Sequence, residues 1–265
     1  MLNDEKNMKK KINIGVVGLG NVGSYFCNEI SKKRNDILIK TGKNINLLYV
    51  SAKNKNKKRN FKFSRKQWIN KPLKIAQDPL VDVVVELIGG PDGLAKKIVT
   101  TALKNKKHVI TANKALIAKH GNALSLLAEK NKVNLEYEAS VAAGIPIIRS
   151  IKEGLISNKI FKLVGILNGT SNYILSRMEI TGKTFKEILN EAKKLGYAER
   201  NPISDLDGND VASKIRILSS LCFKTLISKN NILINGIDNI EVKDVVNARN
   251  LGFKIKLLGI TEIKN

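Results

Sequence analysis

Apolar positions in the first half of the chain come in two textures. Short continuous runs, rich in β-branched residues, alternate with stretches in which apolar residues recur at helical spacing. Residues 12–17 open the series as a strand that ends in glycines. The next segment, NVGSYFCNEISKK, places Val22, Phe26 and Ile30 on one helical face. Residues 45–52 read as a second strand, VDVVVELIGG as a third, residues 108–113 as a fourth and residues 133–140 as a fifth. The third shows no alternation, as expected where helices cover both faces of a sheet. Helical patterns cover residues 92–104, 114–130 and 146–157. Repeated strand–helix alternation predicts an α/β fold built on a parallel, doubly wound sheet.

After Leu155 the texture changes. IFKLVGILNGTSNYIL begins as a strand and turns helical near Thr170, with Thr170 or Ser171 as the cap and Asn168 and Gly169 shaping the turn. Residues 184–195 read as a helix with Thr184 and Glu187 in capping-box spacing. Residues 207–222 and 244–250 read as further helices, with Asp207 as a cap, and residues 253–263 as a strand. The pattern predicts two domains, a parallel-sheet domain over residues 1–145 and a mixed α+β domain over residues 146–265.

Composition adds a strong positive charge. Lys and Arg number 47 against 23 acids, a formal net charge of +24. Such a surplus suits a nucleic-acid binder. The lysines are spread over helix faces and loops, however, and nothing else resembles a nucleic-acid module, so no nucleic-acid partner is expected. The densest basic run is KNKNKKRNFKFSRK, residues 53–66. No stretch reaches the roughly 18 apolar residues of a membrane span. The start, MLNDEKNMKKK, has no apolar secretory core. The expected location is the cytoplasm, without a membrane partner. Cys27 and Cys222 lie far apart and read as small buried hydrophobes in a reducing compartment.

GLGNVG fits G-x-G-x-x-G, and it stands where that fingerprint needs to stand, after a strand and opening a helix. Gly18 permits the tight turn, Gly20 lets backbone approach a pyrophosphate, and Gly23 lets the helix pack close to its strand. With Leu19, Asn21 and Val22 the loop presents a helix N-terminus to phosphates. The sheet is therefore expected to be a Rossmann-type, dinucleotide-binding one. An acid at the end of the second strand would bond the ribose of NAD, whereas a basic group accommodates the 2′-phosphate of NADP. Here the chain reads YVSAKNKNKKR, with no acid. The expectation is NADP over NAD, recognised mainly by Lys53, with Lys57, Lys58 and Arg59 left to solvent.

Five stretches then coincide: ELIGG (86–90), HVITANKALIA (108–118), YEASVAAGIPII (137–148), GILNGTSNYIL (165–175) and GYAERNPISDLDGNDVASK (196–214). Together they closely resemble homoserine dehydrogenase, from about Ile12 to the end of the chain. The resemblance implies interconversion of L-homoserine and L-aspartate 4-semialdehyde with NAD(P), a step toward threonine and methionine, by a homodimer paired through the second domain's sheet. It implies Lys214 as the proton-transferring residue and Lys114 as a second active-site lysine that also meets the cofactor, with Gly89 on the cofactor side. It implies Glu199, Asp205, Asp210 and Gly196 as substrate-binding positions. It further implies a monovalent cation such as Na⁺, held by the Glu138 side chain and the carbonyls of Val141, Ala143 and Ile145.

The residues fit that chemistry in part on their own account. Hydride transfer to an aldehyde needs a proton donor for the developing alkoxide. His108 sits in a strand and His120 in a lysine-rich helix, and both read as structural or exposed, which leaves lysine. Lys214 lies one turn after Asp210 on the same face. By spacing alone that pair is an ordinary exposed ion pair, worth about a few tenths of a kcal/mol. Asn201 stands where the family usually carries an acid, and Ala143 where it often carries glycine. The chain stops at GITEIKN, where the family's catalytic portion normally continues through further strands. A second expectation follows from that, a short dinucleotide-binding product without turnover.

Overall fold

The structure, a computed structural model, describes residues 11–263. It divides into two compact units, the first ending at Ile145 and the second beginning at Pro146. In chain order the first contains β1 (Lys11–Val17), α1 (Asn21–Lys32), α2 (Arg34–Thr41), β2 (Asn44–Ser51), α3 (Leu73–Gln77), β3 (Val83–Glu86), α4 (Leu94–Lys104), β4 (His108–Thr111), α5 (Lys114–Lys130) and β5 (Leu135–Glu136).

The five strands lie in the order β2-β1-β3-β4-β5, and every neighbouring pair is parallel. This is the expected doubly wound sheet. Its order reverses between β1 and β3, and ligands in such folds bind beyond the carboxyl ends of the strands at that point. Val16, Val50, Val84 and Val109 are fully buried in the sheet, and Ile98 and Leu103 of α4 and Leu116 of α5 are fully buried as well. Each such side chain contributes roughly 1.5–3 kcal/mol by leaving water. Cys27 of α1 belongs to this core, and burial pushes its thiol up to about 12.

β5, α2 and α3 depart from the sequence pattern, which gives no helix over α3. β5 keeps only two residues paired with β4, because the chain curls at once into a 3-10 turn over Glu138–Ser140, closed by the Ser140 hydroxyl on the Tyr137 carbonyl at 2.6 Å. α2 is a helix with no buried residue, so apolar spacing gives no sign of it. The basic run after β2 is no loose linker. Phe61 and Trp68 are buried in the core, Trp68 stacks on Phe63 at 5.1 Å, and Gln67 Nε2 donates to the Leu47 carbonyl at 2.8 Å.

The second unit runs α6 (Ile147–Arg149), which continues as a π turn over Ser150–Gly154, β6 (Lys162–Gly165), α7 (Gly169–Thr181), α8 (Phe185–Leu195), α9 (Ile203–Leu206), α10 (Asn209–Phe223), α11 (Val242–Asn250) and β7 (Gly259–Glu262). β6 and β7 pair antiparallel. The strand expected over 253–263 is only four residues long, because β6 offers four partners and no more. Ile174, Leu175 and Met178 of α7 meet Ile188 and Ala192 of α8, with Ile237 and Val245 closing the core. The Thr184–Glu187 capping box is formed. The cap of α7 falls on Asn168, not on Thr170 or Ser171. Asp207 lies just outside α10 and accepts the first helical amide, that of Asn209, at 2.9 Å. Among the described residues no helix is long and apolar enough to cross a membrane.

Candidate active site

β1 ends at Val17 and the chain turns through Gly18, at φ +105°, its amide bonded to the Ser51 carbonyl at 2.8 Å. A Cβ on Gly18 would stand 2.5 Å from the Leu87 carbonyl, and one on Gly23 would stand 1.9 Å from the Gly18 carbonyl oxygen. Neither site accepts a side chain without backbone movement. Gly20 differs, because nothing lies within 4 Å of the Cβ it lacks. As N-cap of α1 it also offers no side-chain cap, so the first amides of a 12-residue helix are left for a ligand. A dinucleotide pyrophosphate suits that open, donor-lined place.

A cavity of about 470 Å³ opens beside the loop, lined by Leu19, Gly20 and Asn21 together with Lys57, Lys58 and Arg59. Lys57 and Lys58 are exposed as expected, but Arg59 is not simply solvated. Arg59 donates to the carbonyls of Leu19 at 3.1 Å, Lys55 at 3.1 Å and Lys57 at 2.8 Å, and to that of Asn54. Lys53 is exposed and does not line the cavity.

Glu86, the last residue of β3, is fully buried. Its carboxylate accepts the Thr111 hydroxyl at 2.6 Å, the Ile88 amide at 2.8 Å and the Gly89 amide at 3.2 Å. These bonds satisfy a buried charge and fix the Gly89 turn at the carboxyl end of the sheet. Asn113 continues the network, with Nδ2 on the Gly90 carbonyl at 2.7 Å and Oδ1 capping α5 at the Leu116 amide, 3.1 Å. Lys114 is the first residue of α5, on backbone held by this network.

In the second unit Asn168 is the organiser. Its Oδ1 accepts the Ser171 amide at 2.8 Å, and its Nδ2 bridges Asp205 Oδ1 and Asp210 Oδ2, both at 2.8 Å. Lys214 Nζ pairs with Asp210 Oδ2 at 2.8 Å and donates to the Leu167 carbonyl at 2.6 Å. An ammonium has three N–H donors, so one is left beyond these two bonds. The Lys214 and Asp210 side chains are 17% and 3% exposed, so the exposed ion pair read from spacing is in fact a buried one. Removing one partner of such a pair costs about 3–5 kcal/mol.

An open depression of about 690 Å³ lies over this cluster, lined by Asn168, Gly169, Asp205, Asp210, Lys214 and Gly196. Tyr173 and Tyr197, stacked at 4.5 Å, form another wall. Glu191 Oε1 accepts both the Tyr173 hydroxyl at 2.5 Å and Arg177 Nε at 2.9 Å. The tyrosine and then the arginine hold the Glu191 carboxyl below its usual range. Thr170 Oγ1 ties the Tyr197 carbonyl to the start of α7 at 2.7 Å. Two acids beside one lysine, under an open face, can hold a cationic amine and move a proton.

Residues 18–138 match the family model described as the NAD binding domain of homoserine dehydrogenase, and residues 146–264 match the model described as homoserine dehydrogenase. The homoserine dehydrogenase of Neisseria gonorrhoeae is 42% identical over 252 residues, which cover 95% of this chain and 58% of that protein. The chain belongs to the homoserine dehydrogenase family. A crystal structure of a homoserine dehydrogenase from Thiobacillus denitrificans is similar, with a TM-score of 0.89 at 39% identity over 97% of this chain and 59% of that one. The family's Bacillus subtilis member is 38% identical over 96% of this chain. The chain spans 58% of the length of both curated relatives.

The other positions that the family resemblance singled out are placed as follows. Gly196 closes α8 at φ +80° and lines the depression, whereas Glu199 is exposed and lies outside the lining. Val141 is buried, Ile145 is exposed, and Ala143 has a φ of +50°, a conformation that favours glycine. Glu138 opens the preceding 3-10 turn. Among the described residues no group of three or more His, Cys, Asp or Glu could hold a metal ion. His108 Nδ1 accepts the Asn134 amide at 3.1 Å and His120 pairs with Asp92 at 2.9 Å, so neither takes part in the cluster. The sequence assigns Glu86 no separate role, leaves Arg59 to solvent and gives Asn168 only the turn. An acid closing an otherwise apolar run was the available sign for Glu86, and Asn168 three residues before Ser171 was a cap pattern. Arg59 had no sign.

Proposed function

We propose that the chain oxidises L-homoserine to L-aspartate 4-semialdehyde, and catalyses the reverse reduction, in threonine and methionine biosynthesis. The observation that carries this reading is the relay Asp205–Asn168–Asp210–Lys214, with Asn168 and Asp210 buried, under an open depression. Asp205, which lines the depression, binds the substrate ammonium, and Glu199, outside the lining, is left without that role. Lys214 takes the hydroxyl proton during oxidation and returns it to the carbonyl oxygen during reduction, while Asp210 and the Leu167 carbonyl hold its amine in place. Gly196, with no Cβ, lets the substrate approach backbone, and Lys114 acts as the second active-site lysine.

The residues of the first unit fit a dinucleotide, whose nicotinamide when bound supplies or accepts the hydride. Gly18–Gly23 and Gly89 take its backbone-facing side. NADP is preferred to NAD, because the end of β2 carries no acid and Lys57 and Lys58 line the cavity, with Lys53 nearby in the chain. The turn from Glu138 to Ile145 takes a monovalent cation, through the Glu138 side chain and the carbonyls of Val141, Ala143 and Ile145. A homodimer forms through the β6–β7 sheet, whose outer face carries Val164 and Ile260, 49% and 54% exposed.

Purified protein given L-homoserine and NADP⁺ should produce NADPH, faster than it produces NADH from NAD⁺. Dinucleotide binding without turnover by the intact chain would replace this reading with that of a non-catalytic binder.

A further inference from the structure

We propose that Arg59 is a positioning residue that sets the preference for a 2′-phosphorylated dinucleotide, by locking the lysine loop onto the glycine loop without touching the phosphate. The proposal rests on the cofactor reading above. The guanidinium spends four of its five N–H donors on backbone carbonyls, those of Leu19, Asn54, Lys55 and Lys57. Leu19 is the residue after Gly18, and its carbonyl is held from the other side by the Ser24 hydroxyl at 3.2 Å. One side chain therefore fixes the glycine loop and the 54–57 segment against each other.

The lysines of this segment divide their roles. Lys57 and Lys58 are exposed and line the same cavity as Gly20 and Asn21. Lys55 instead sits over the Trp68 ring at 5.9 Å. A lysine is a point charge on a flexible stem, so its grip on a phosphate depends on where its backbone stands. Ordering that backbone before the ligand arrives removes an entropic penalty from binding. The penalty returns only for the ligand that uses the lysines, so NADP is affected and NAD is not. Beyond the clamp the segment is anchored separately by buried Phe61 and Trp68 and by Gln67 on the Leu47 carbonyl. Loss of Arg59 should loosen residues 53–60 and leave the unit folded.

The test measures the dissociation constants of NADP⁺ and NAD⁺ through the fluorescence of Trp68, the chain's single tryptophan. Wild type, Arg59→Met, Arg59→Lys and the double variant Lys57→Met/Lys58→Met are compared, with melting followed by circular dichroism. Both Arg59 variants should bind NADP⁺ about tenfold more weakly and NAD⁺ within about threefold of wild type. Lysine should fail to rescue, because it keeps the charge but not the four-carbonyl clamp. Arg59→Met added to the double variant should lower NADP⁺ affinity no further. Retained preference in Arg59→Lys, additive losses, or collapse of the whole fold on replacing Arg59 would each overturn the proposal. A wild-type protein with no preference for NADP⁺ would instead remove the cofactor reading itself, before any variant is made.

Discussion

In the first unit the ligand-facing surface is mostly backbone, whereas in the second it is side chains. The glycine loop presents amides and empty space, with Gly18 and Gly23 so tightly placed that a Cβ would meet carbonyls at 2.5 Å and 1.9 Å. The depression of the second unit presents Asp205, Asp210 and Lys214, held by Asn168 and by the Leu167 carbonyl. The difference teaches how each surface tolerates change. A backbone site is lost by adding atoms, and a side-chain site by removing them. It also separates tasks: phosphates need many weak, fixed donors, whereas proton transfer needs one group at one place.

The sharpest break between the two should come from Lys214→Ala. Turnover of homoserine should fall by about 10²–10⁴, while dinucleotide affinity, measured by titration, stays at the wild-type value. Weakened dinucleotide binding would blur the separation of tasks. Next in size is Asn168→Leu. It removes the donor that two carboxylates share, so kcat/KM should fall by about 10²-fold, and stability by about 2–4 kcal/mol in denaturant melts.

Two alanine substitutions then contrast neighbours on the glycine loop. Gly23→Ala should destabilise the fold by more than about 2 kcal/mol, because helix and loop must part. Gly20→Ala should leave stability within about 0.5 kcal/mol yet weaken dinucleotide binding, since its methyl fills the open place. Equal melting temperatures for the two would undo the argument from close approach.

The smallest effect concerns pH. Tyr173, then Arg177, hold the Glu191 carboxyl below its ordinary 4.5. A depressed folded value means that the stabilisation is complete above the ordinary value and fades as pH falls through the folded one. The melting gap between wild type and Glu191→Gln should therefore be constant from about pH 7 to pH 5 and close at lower pH. A gap that widens on acidification would contradict the assignment.

The same contrast explains what the sequence reveals. The strands of the parallel sheet, the helices α1, α4 and α5 and the glycine loop are all local patterns, visible as runs, spacings and turn glycines. The Thr184–Glu187 cap is local too. Asn168 and Asp210 are 42 positions apart, and no periodicity connects them. Lys214 and Asp210 are adjacent on a helix, but spacing alone cannot report that they are buried, and burial decides what the pair is worth. Arg59 sits in a run of basic residues that looks solvated. Its partners are carbonyls, and carbonyls leave no trace in a sequence. The short β5 is set by the 3-10 turn that follows it, and the short β7 by what β6 offers, rather than by their own apolar residues.

The central claim is that the amine of Lys214 carries the proton. Adding small primary alkylamines to Lys214→Ala, and following NADPH formation from homoserine, tests it most directly. Rates that rise with amine concentration and track amine basicity are the predicted result. A variant that still binds NADP⁺ and homoserine but ignores every amine, or that turns over at the wild-type rate without them, would contradict it.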